Sequence, residues 1–496
     1  MKIYIEKEIK NSEGVLVIPI FEDETIKKKT FSTKLDAFYE KNLPTELKKN
    51  IIEAVKNKEF EPKFGEMLFT YHKSKKFPDK IILLGAGNIE KFTTHQKRRL
   101  IGKLAKFLKK KSFKTISILA PEIMQKDIPN MLEAFLMSIY DFTKHKSKNE
   151  EYEVKSITFI SENIPKNIKQ ALKRAEILAD ANAFTKDLIN SPSNIINSLS
   201  FSAEAKKIAK ENDLSSVILT EKELKKMGWG GLLAVNQGSS KPPRVVVLKY
   251  DGASSKEKPI VLIGKGIIFD AGGYNIKPTN YIETMHQDMS GAAIVLGVMK
   301  VLKKLGIKKN VVGIMPLAEN MVSAEAYKPS DIIKMFNGKT VEIVNTDAEG
   351  RLILADAITY ATKLKPSKII TIATLTGAVA IALGNRYSGI ISNTKEIVEA
   401  LIKAGEEVGE LFWQLPLHED YRKAVESSIA DYKNCDTKDR EAGTAKAGAF
   451  LEIFFEDYPW AHIDIGSTAY TDSPEDFQAK GATGNGLRAL VKFLEE

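Results

Sequence analysis

The run Asn345-Thr346-Asp347-Ala348-Glu349-Gly350-Arg351 sets two carboxylates two residues apart, then a glycine and an arginine. A β-branched segment precedes it (Val341, Ile343, Val344), and an apolar, helix-like stretch follows to Ala357. Buried strands seldom run straight into charged side chains unless something positive meets them there. Carboxylate oxygens are preferred ligands of hard cations, so a metal ion is the first candidate. The competing interpretation is an N-capped helix start with an ordinary ion pair to Arg351.

A second cluster weighs against that interpretation. The apolar residues 259–264 lead to Lys265, with Asp270 five residues on, and Lys277 and Asp288 follow. Gly272-Gly273 permits a tight turn, and Gly291-Ala292-Ala293 opens a closely packed helix. A buried ion pair would account for Lys265 alone, but not for the same arrangement recurring at Asp347 and Glu349. Four carboxylates near strand ends, at Asp270, Asp288, Asp347 and Glu349, suit two divalent cations about 3.5–4 Å apart. Such a pair lets a bridging water ionise near neutral pH. Cations and burial both disfavour an ammonium, so Lys265 could bind metal as a neutral amine. Lys277 and Arg351 remain as cations able to meet an oxyanion or a small anion. None of the six histidines lies in an HExxH pattern, which argues against a zincin-type site. His286 sits near Asp288, either supporting a ligand or simply on the surface.

These groups need a scaffold, and apolar periodicity supplies one. In the N-terminal third, residues 15–21, 80–87, 115–121 and 156–162 read as strands, and the first ten residues alternate like one. Residues 94–111 read as a basic amphipathic helix and 129–143 as another. The charged stretch 144–151 marks a loop or domain edge. A long helical pattern runs from Pro165 to about Asn190, carrying Ile168, Leu172, Ala175, Leu178, Ala179 and Ala183 on one face. Beyond it, strands are expected at 217–220, 244–250, 260–263, 310–315, 369–373 and 462–465, separated by helices. That alternation predicts an α/β protein of two domains: a smaller N-terminal α/β domain and a larger C-terminal α/β/α domain around a mixed, mainly parallel sheet.

Bulk properties narrow the class. A chain of 496 residues exceeds one ordinary core, and 43% hydrophobic with 28% charged residues describes a soluble globular protein. No apolar run reaches the roughly 18 residues of a membrane span. The start MKIYIEKEIK lacks a signal-peptide core. Cys435, the single cysteine, excludes an internal disulfide and a multi-cysteine metal site, and points to a reducing cytoplasm. The net charge of +10 is uneven: residues 1–150 hold 31 Lys+Arg against 20 Asp+Glu, and the remainder is close to neutral. Basic clusters at 27–29, 97–99 and 109–111 form a solvated lysine-rich surface or, alternatively, a nucleic-acid contact.

Taken together, the sequence resembles the leucyl (cytosol) aminopeptidase family of dinuclear-metal exopeptidases. The resemblance runs from about Lys186 to Leu494 and is most specific at NTDAEGRL. It is supported by DLINSPSN, LLAVNQGSSKPPR, KGIIFDAGGYNIKP, MPLAENMVSAEAYKPSD, TLTGA, GAFLEIF, WAHIDI and ATGNGLR. The N-terminal third matches in layout only. The resemblance implies a macro-like N-terminal α/β domain over 1–164, a connecting helix over 165–190 and a catalytic domain over 191–496. It implies that Lys265, Asp270, Asp288 and Glu349 hold the tighter metal, and Asp270, Asp347 and Glu349 the more exchangeable one. Lys277 and Arg351 fall at its catalytic positions, the arginine holding a bicarbonate as general base. Met285, Thr374 and Gly377 fall in its apolar pocket for the substrate's first side chain.

Departures from the family pattern, at Ile268, Ala271, His286, Ala324-Glu325 and Ser330, leave every ligand position intact. They touch substrate preference and rate. The implied protein is a cytoplasmic homohexamer that hydrolyses the N-terminal residue, leucine or another apolar one, from peptides with a free N-terminus. A hydroxide bound by two metals would do the chemistry. Zn²⁺ and Mn²⁺ suit a nitrogen ligand such as Lys265, with Mg²⁺ a weaker candidate. No membrane contact is expected. Two other functions compete: a DNA-binding or regulatory role for the basic N-terminal third, and a two-metal phosphoesterase. The first lacks a recognition helix, and the second does not need an apolar pocket.

Overall fold

The computed structural model describes residues 1–9, 13–22, 36–74, 77–147, 152–436, 441–473 and 477–496, with the side chains of 36 and 37 left aside. The basic cluster at 27–29 and residues 148–151 of the charged loop lie outside the described residues. The chain forms two units. One comprises residues 1–179 and 473–479, the other residues 180–472 and 480–496.

The first unit is built on a six-stranded sheet in the order Lys2–Glu6, Ser156–Ile160, Thr115–Leu119, Val15–Glu22, Lys80–Asn88, Met67–Tyr71. All neighbours are parallel except the last pair. Val15–Glu22 and Lys80–Asn88 are buried along nearly their whole length, as central strands of a covered parallel sheet must be. The helix Thr94–Lys110 turns Leu100, Ile101, Leu104, Ala105 and Leu108 inward and starts at a Thr93 cap that accepts from the Gln96 N–H. Ile128–Ile139 carries its proline in the first turn, where a missing N–H costs nothing. Residues 67–71 were not expected as a strand. Four of the five side chains are half-buried and Tyr71 is exposed, so neither face is marked out as buried.

The second unit holds a nine-stranded sheet. Its order is Leu411–Gln414, Tyr387–Ile391, Trp460–Asp464, Lys368–Ala373, Ile260–Gly264, Asn310–Asn320, Arg244–Asp251, Ser215–Leu219, with Gly266–Asp270 added beside Asn310–Asn320. The four central strands are mutually parallel, and antiparallel pairs lie toward the edges. The mixed, mainly parallel sheet expected from the sequence is thus present. Val261, Ile263, Val312, Ile314 and Ile369 share one core with Leu352, Ile353 and Phe450. Alternation turns Leu262 and Gly264 the other way, where Gly264 meets the backbone of Gly291 in the helix Ser290–Leu305. A side chain at either glycine would collide with main chain.

One expected element is shorter than its composition suggests. The strand preceding the acidic heptapeptide is only Thr340–Glu342, and it belongs to a separate three-stranded sheet with Ile332–Lys334 and Tyr432–Lys433. Beyond Glu342 the backbone bonds to loops: Ile343 N donates to Asp331 O, and Val344 N to the Asn434 side chain. Among the described residues no helix is long and apolar enough to cross a membrane.

Candidate metal centre

The central strands run parallel, so their carboxyl ends open on one side of the sheet, where ligands of α/β proteins gather. Lys265 follows Ile260–Gly264, Asp270 ends Gly266–Asp270, Asn320 ends Asn310–Asn320, and Thr374 follows Lys368–Ala373. Asp288 lies in the short 3-10 turn Met285–Met289, and Glu349 stands at the head of the helix Gly350–Thr362.

Two lysines bind these acids together. Lys265 Nζ lies 2.9 Å from Asp288 Oδ2 and 2.9 Å from Glu349 Oε1, and donates to the Thr374 carbonyl at 3.0 Å. Lys277 Nζ lies 2.9 Å from Asp270 Oδ2 and 2.5 Å from Asp347 Oδ1. Lys265, Asp270, Asp288 and Glu349 are buried, whereas the Asp347 side chain is a third exposed. Oxygens of Asp270, Asp347 and Glu349 lie within 4.8 Å of one another.

The charges do not balance: four carboxylates face two ammonium groups. Burial, with Asp270 and Glu349 adding repulsion, pushes the Asp288 carboxyl up to about 8. Burial and the same kind of repulsion push Asp347 up to about 7 and raise Asp270. Burial also works against charged Glu349, but Lys265 and Lys277 outweigh it and hold its pKa below the ordinary value. For Lys265 burial favours the neutral amine, yet Asp288, Glu349 and Asp270 prevail and hold the ammonium.

A divalent cation fits this donor set. Among the described residues Glu349 Oε2 is buried without a partner, and Asp288 Oδ2 is buried with the Lys265 ammonium, at 2.9 Å, as its one neighbour of opposite charge. Buried oxygens left in that condition are costly unless a further positive group satisfies them.

The remaining predicted residues take separate places. Arg351 is buried and makes no ion pair with the acids among the described residues; its Nη1 donates to the Asn434 carbonyl at 2.8 Å and its Nε has no partner. The surface ion-pair interpretation of the heptapeptide therefore does not hold. Thr374 is half-buried, and its hydroxyl donates to Asp288 Oδ1 at 2.5 Å. Met285 is half-buried and opens the 3-10 turn that carries Asp288. Gly377 is exposed, with φ −69°, and a Cβ there would meet open space. His286 stands half-buried against Tyr470, with ring centroids 6.0 Å apart, and burial lowers its pKa.

Several supporting residues carry no local mark in the sequence. Asp464 accepts from the N–H groups of Leu375, Thr376 and Gly466 and from the Thr376 hydroxyl, which shapes the loop carrying Thr374 and Gly377. His462 is fully buried, and burial followed by Arg351 and Lys265 lowers its pKa to about 3, so it is neutral. Asn434 accepts from Val344 and Asn345 and donates to the Asn345 carbonyl.

Comparison with known proteins gives one consistent result. The family model described as the cytosol aminopeptidase catalytic domain matches residues 183–491, and that family's N-terminal domain model matches 17–149. A "Probable cytosol aminopeptidase" of Syntrophotalea carbinolica is 38% identical over 466 residues, covering 92% of this chain and 93% of that one. Its counterpart in Protochlamydia amoebophila is 39% identical over 449 residues, covering 88% and 89%. Among solved structures, the bottromycin maturation enzyme BotP in complex with Mn superposes with a TM-score of 0.83 at 26% identity, over 97% of this chain and 99% of that one.

Proposed function

Since this chain belongs to the cytosol aminopeptidase family, a hydrolase family acting on peptides, we propose that it removes an apolar N-terminal residue, leucine above all, at the charge cluster around Glu349. The observation that carries this reading is the meeting of Asp270, Asp347 and Glu349 oxygens within 4.8 Å, flanked by two lysines and including a buried Glu349 oxygen that lacks a partner. Lys265, Asp270, Asp288 and Glu349 hold one divalent cation; Asp270, Asp347 and Glu349 hold a second. Zn²⁺ or Mn²⁺ suits the mixed nitrogen and oxygen donors better than Mg²⁺, and the manganese-bound BotP supports that choice. When bound, such cations supply hydroxide near neutral pH and polarise the scissile carbonyl.

The chain's own residues do the rest. Lys277 meets the negative charge that grows on the carbonyl oxygen, a contact stronger in the transition state than before it. Arg351, anchored by Asn434 with its Nε unengaged, holds bicarbonate as the local base. Asp288 and Lys265 are steadied by Thr374, which with Met285 and Gly377 borders the space for the first side chain. The acidic surroundings select a substrate with a free α-amine, so an internal peptide bond has no counterpart there. Residues 191–496 form the catalytic domain, 165–190 the connector and 1–164 the non-catalytic domain of a cytoplasmic homohexamer.

Glu349→Ala tests the assignment. Hydrolysis of leucine p-nitroanilide should fall at least about 100-fold. Full, metal-dependent activity in that variant would show that the site lies elsewhere.

A further inference from the structure

The two acidic loops of the centre carry like charges, yet they are held side by side. Asp270 and Lys277 belong to the first loop, Asp347 and Glu349 to the second. Oxygens of Asp270, Asp347 and Glu349 lie within 4.8 Å of one another, so the acids repel across the gap between the loops. Lys277, 2.9 Å from Asp270 and 2.5 Å from Asp347, offsets part of that repulsion, and the uncharged hydrogen bonds between the loops converge on Thr346.

Thr346 is fully buried, between half-buried Asn345 and exposed Asp347. Its hydroxyl donates to the Gly272 carbonyl at 2.6 Å and accepts from the Asn275 N–H at 2.9 Å. Its backbone N–H donates to Asn275 Oδ1 at 2.8 Å. Its carbonyl accepts from Asn320 Nδ2 at 3.0 Å and from the Tyr327 hydroxyl at 2.7 Å. Asn320 Nδ2 also donates to Asp270 Oδ1 at 2.8 Å, so one amide joins an acid of the first loop to the backbone of the second. Both partners are acceptors, which fixes the amide orientation without ambiguity. Gly272 and Gly273 adopt φ of +88° and +63°, and a Cβ on Gly273 would lie 2.9 Å from the Thr346 hydroxyl. The turn is shaped to let that hydroxyl in.

We propose that Thr346 is a positioning residue of the reaction: with Asn320 and Tyr327 it sets the separation of Asp270 from Asp347 and Glu349, and thereby the affinity of the cation they share. The threonine touches neither cation nor substrate. It acts through the acids, and supporting groups of this kind change metal affinity by about 10–100-fold. The inference rests on the reading of those three acids as ligands.

The test compares Thr346→Val, Thr346→Ser, Tyr327→Phe and Glu349→Ala in the full chain. Each is stripped with chelator and titrated with Mn²⁺ by equilibrium dialysis, beside thermal unfolding and kinetics on leucine p-nitroanilide. Thr346→Val should bind Mn²⁺ about 10-fold more weakly or worse, with lower kcat and KM within about twofold. Thr346→Ser, which keeps the hydroxyl, should match the parent. Tyr327→Phe should weaken Mn²⁺ binding in the same direction without shifting the unfolding midpoint, and it decides the matter if Thr346→Val does not fold. Parent-like Mn²⁺ affinity in Thr346→Val, or in Tyr327→Phe where that variant decides, overturns the inference while Glu349→Ala still loses the ion. Parent-like binding in Glu349→Ala overturns the ligand reading itself.

Discussion

Each unit of the chain buries a lysine against aspartate, and the two do so for opposite ends. In the N-terminal unit Lys97 Nζ lies 2.6 Å from Asp127 Oδ2, one charge against one, with both side chains at least 94% buried. Thr94 and Asn130 donate to Asp127 Oδ1, which completes its shell. Burial alone would raise that carboxyl, but Lys97 and these donors overcome it and hold Asp127 below the ordinary value. In the catalytic unit the same residue types leave three acids raised and one buried oxygen, Glu349 Oε2, without a partner. A closed pair is finished architecture. An open cluster is a receptor for positive charge, and its cost is tolerated because a ligand relieves it.

The contrast can be broken most sharply by removing one acid from each. Asp270→Asn should cost about 4 kcal/mol of transition-state stabilisation, roughly 1000-fold in kcat/KM. The metal-stripped variant should unfold within about 1 kcal/mol of the stripped parent, since a repelled charge has gone. Denaturant unfolding of both stripped forms checks this. Asp127→Ala should do the reverse. It strands a buried ammonium, costing the N-terminal unit about 3–5 kcal/mol, while activity per folded molecule stays at the parent level. If Asp127→Ala were silent in unfolding, the pair would not be the closed structural element described.

A smaller effect, in pH, sharpens the same point. Asp288 and Asp347 titrate above the ordinary carboxylate range when folded, at about 8 and about 7. The folded stripped protein therefore binds more protons than the unfolded chain, and its stability falls as pH rises from the acid range through 8. Added Mn²⁺ should abolish that fall, with proton release on binding. Asp127 has the opposite sign: its contribution is complete above the ordinary carboxylate pKa and is lost as pH falls through its lowered folded value. Thermal midpoints from pH 3 to 9, with and without metal, separate the two regions. A stripped protein that gained stability toward pH 8 would refute the open-cluster description.

What could be read from residues alone follows from the range of the interactions involved. Central strands such as Val15–Glu22 and Ile260–Gly264 announce themselves because both faces are apolar. The outermost strand Leu411–Gln414 and its neighbour Tyr387–Ile391 do not: the first is four residues with two of them exposed, and the second opens on a polar Tyr-Ser-Gly. The acids and lysines of the centre were recognisable by type and spacing. Asn320 and Asn434 were not: each meets its partners 26 or more residues away, and an asparagine in isolation has no distinguishing neighbourhood. The basic excess of the N-terminal third also reads differently in three dimensions. Lys97 is spent on Asp127, and Lys109 pairs with Asp141 and donates to the Ile139 carbonyl.

Gly377 has a consequence for how this protein's selectivity can change. Its backbone is one that any L-residue adopts, and the volume beside it is vacant. If Gly377 borders the substrate's first side chain as proposed, a methyl or a larger group there would narrow the range of side chains admitted while leaving folding and the charge cluster intact. On that proposal diet and chemistry lie in separable parts of one loop: the first is free to drift, and the second is held by the carboxylate of Asp464.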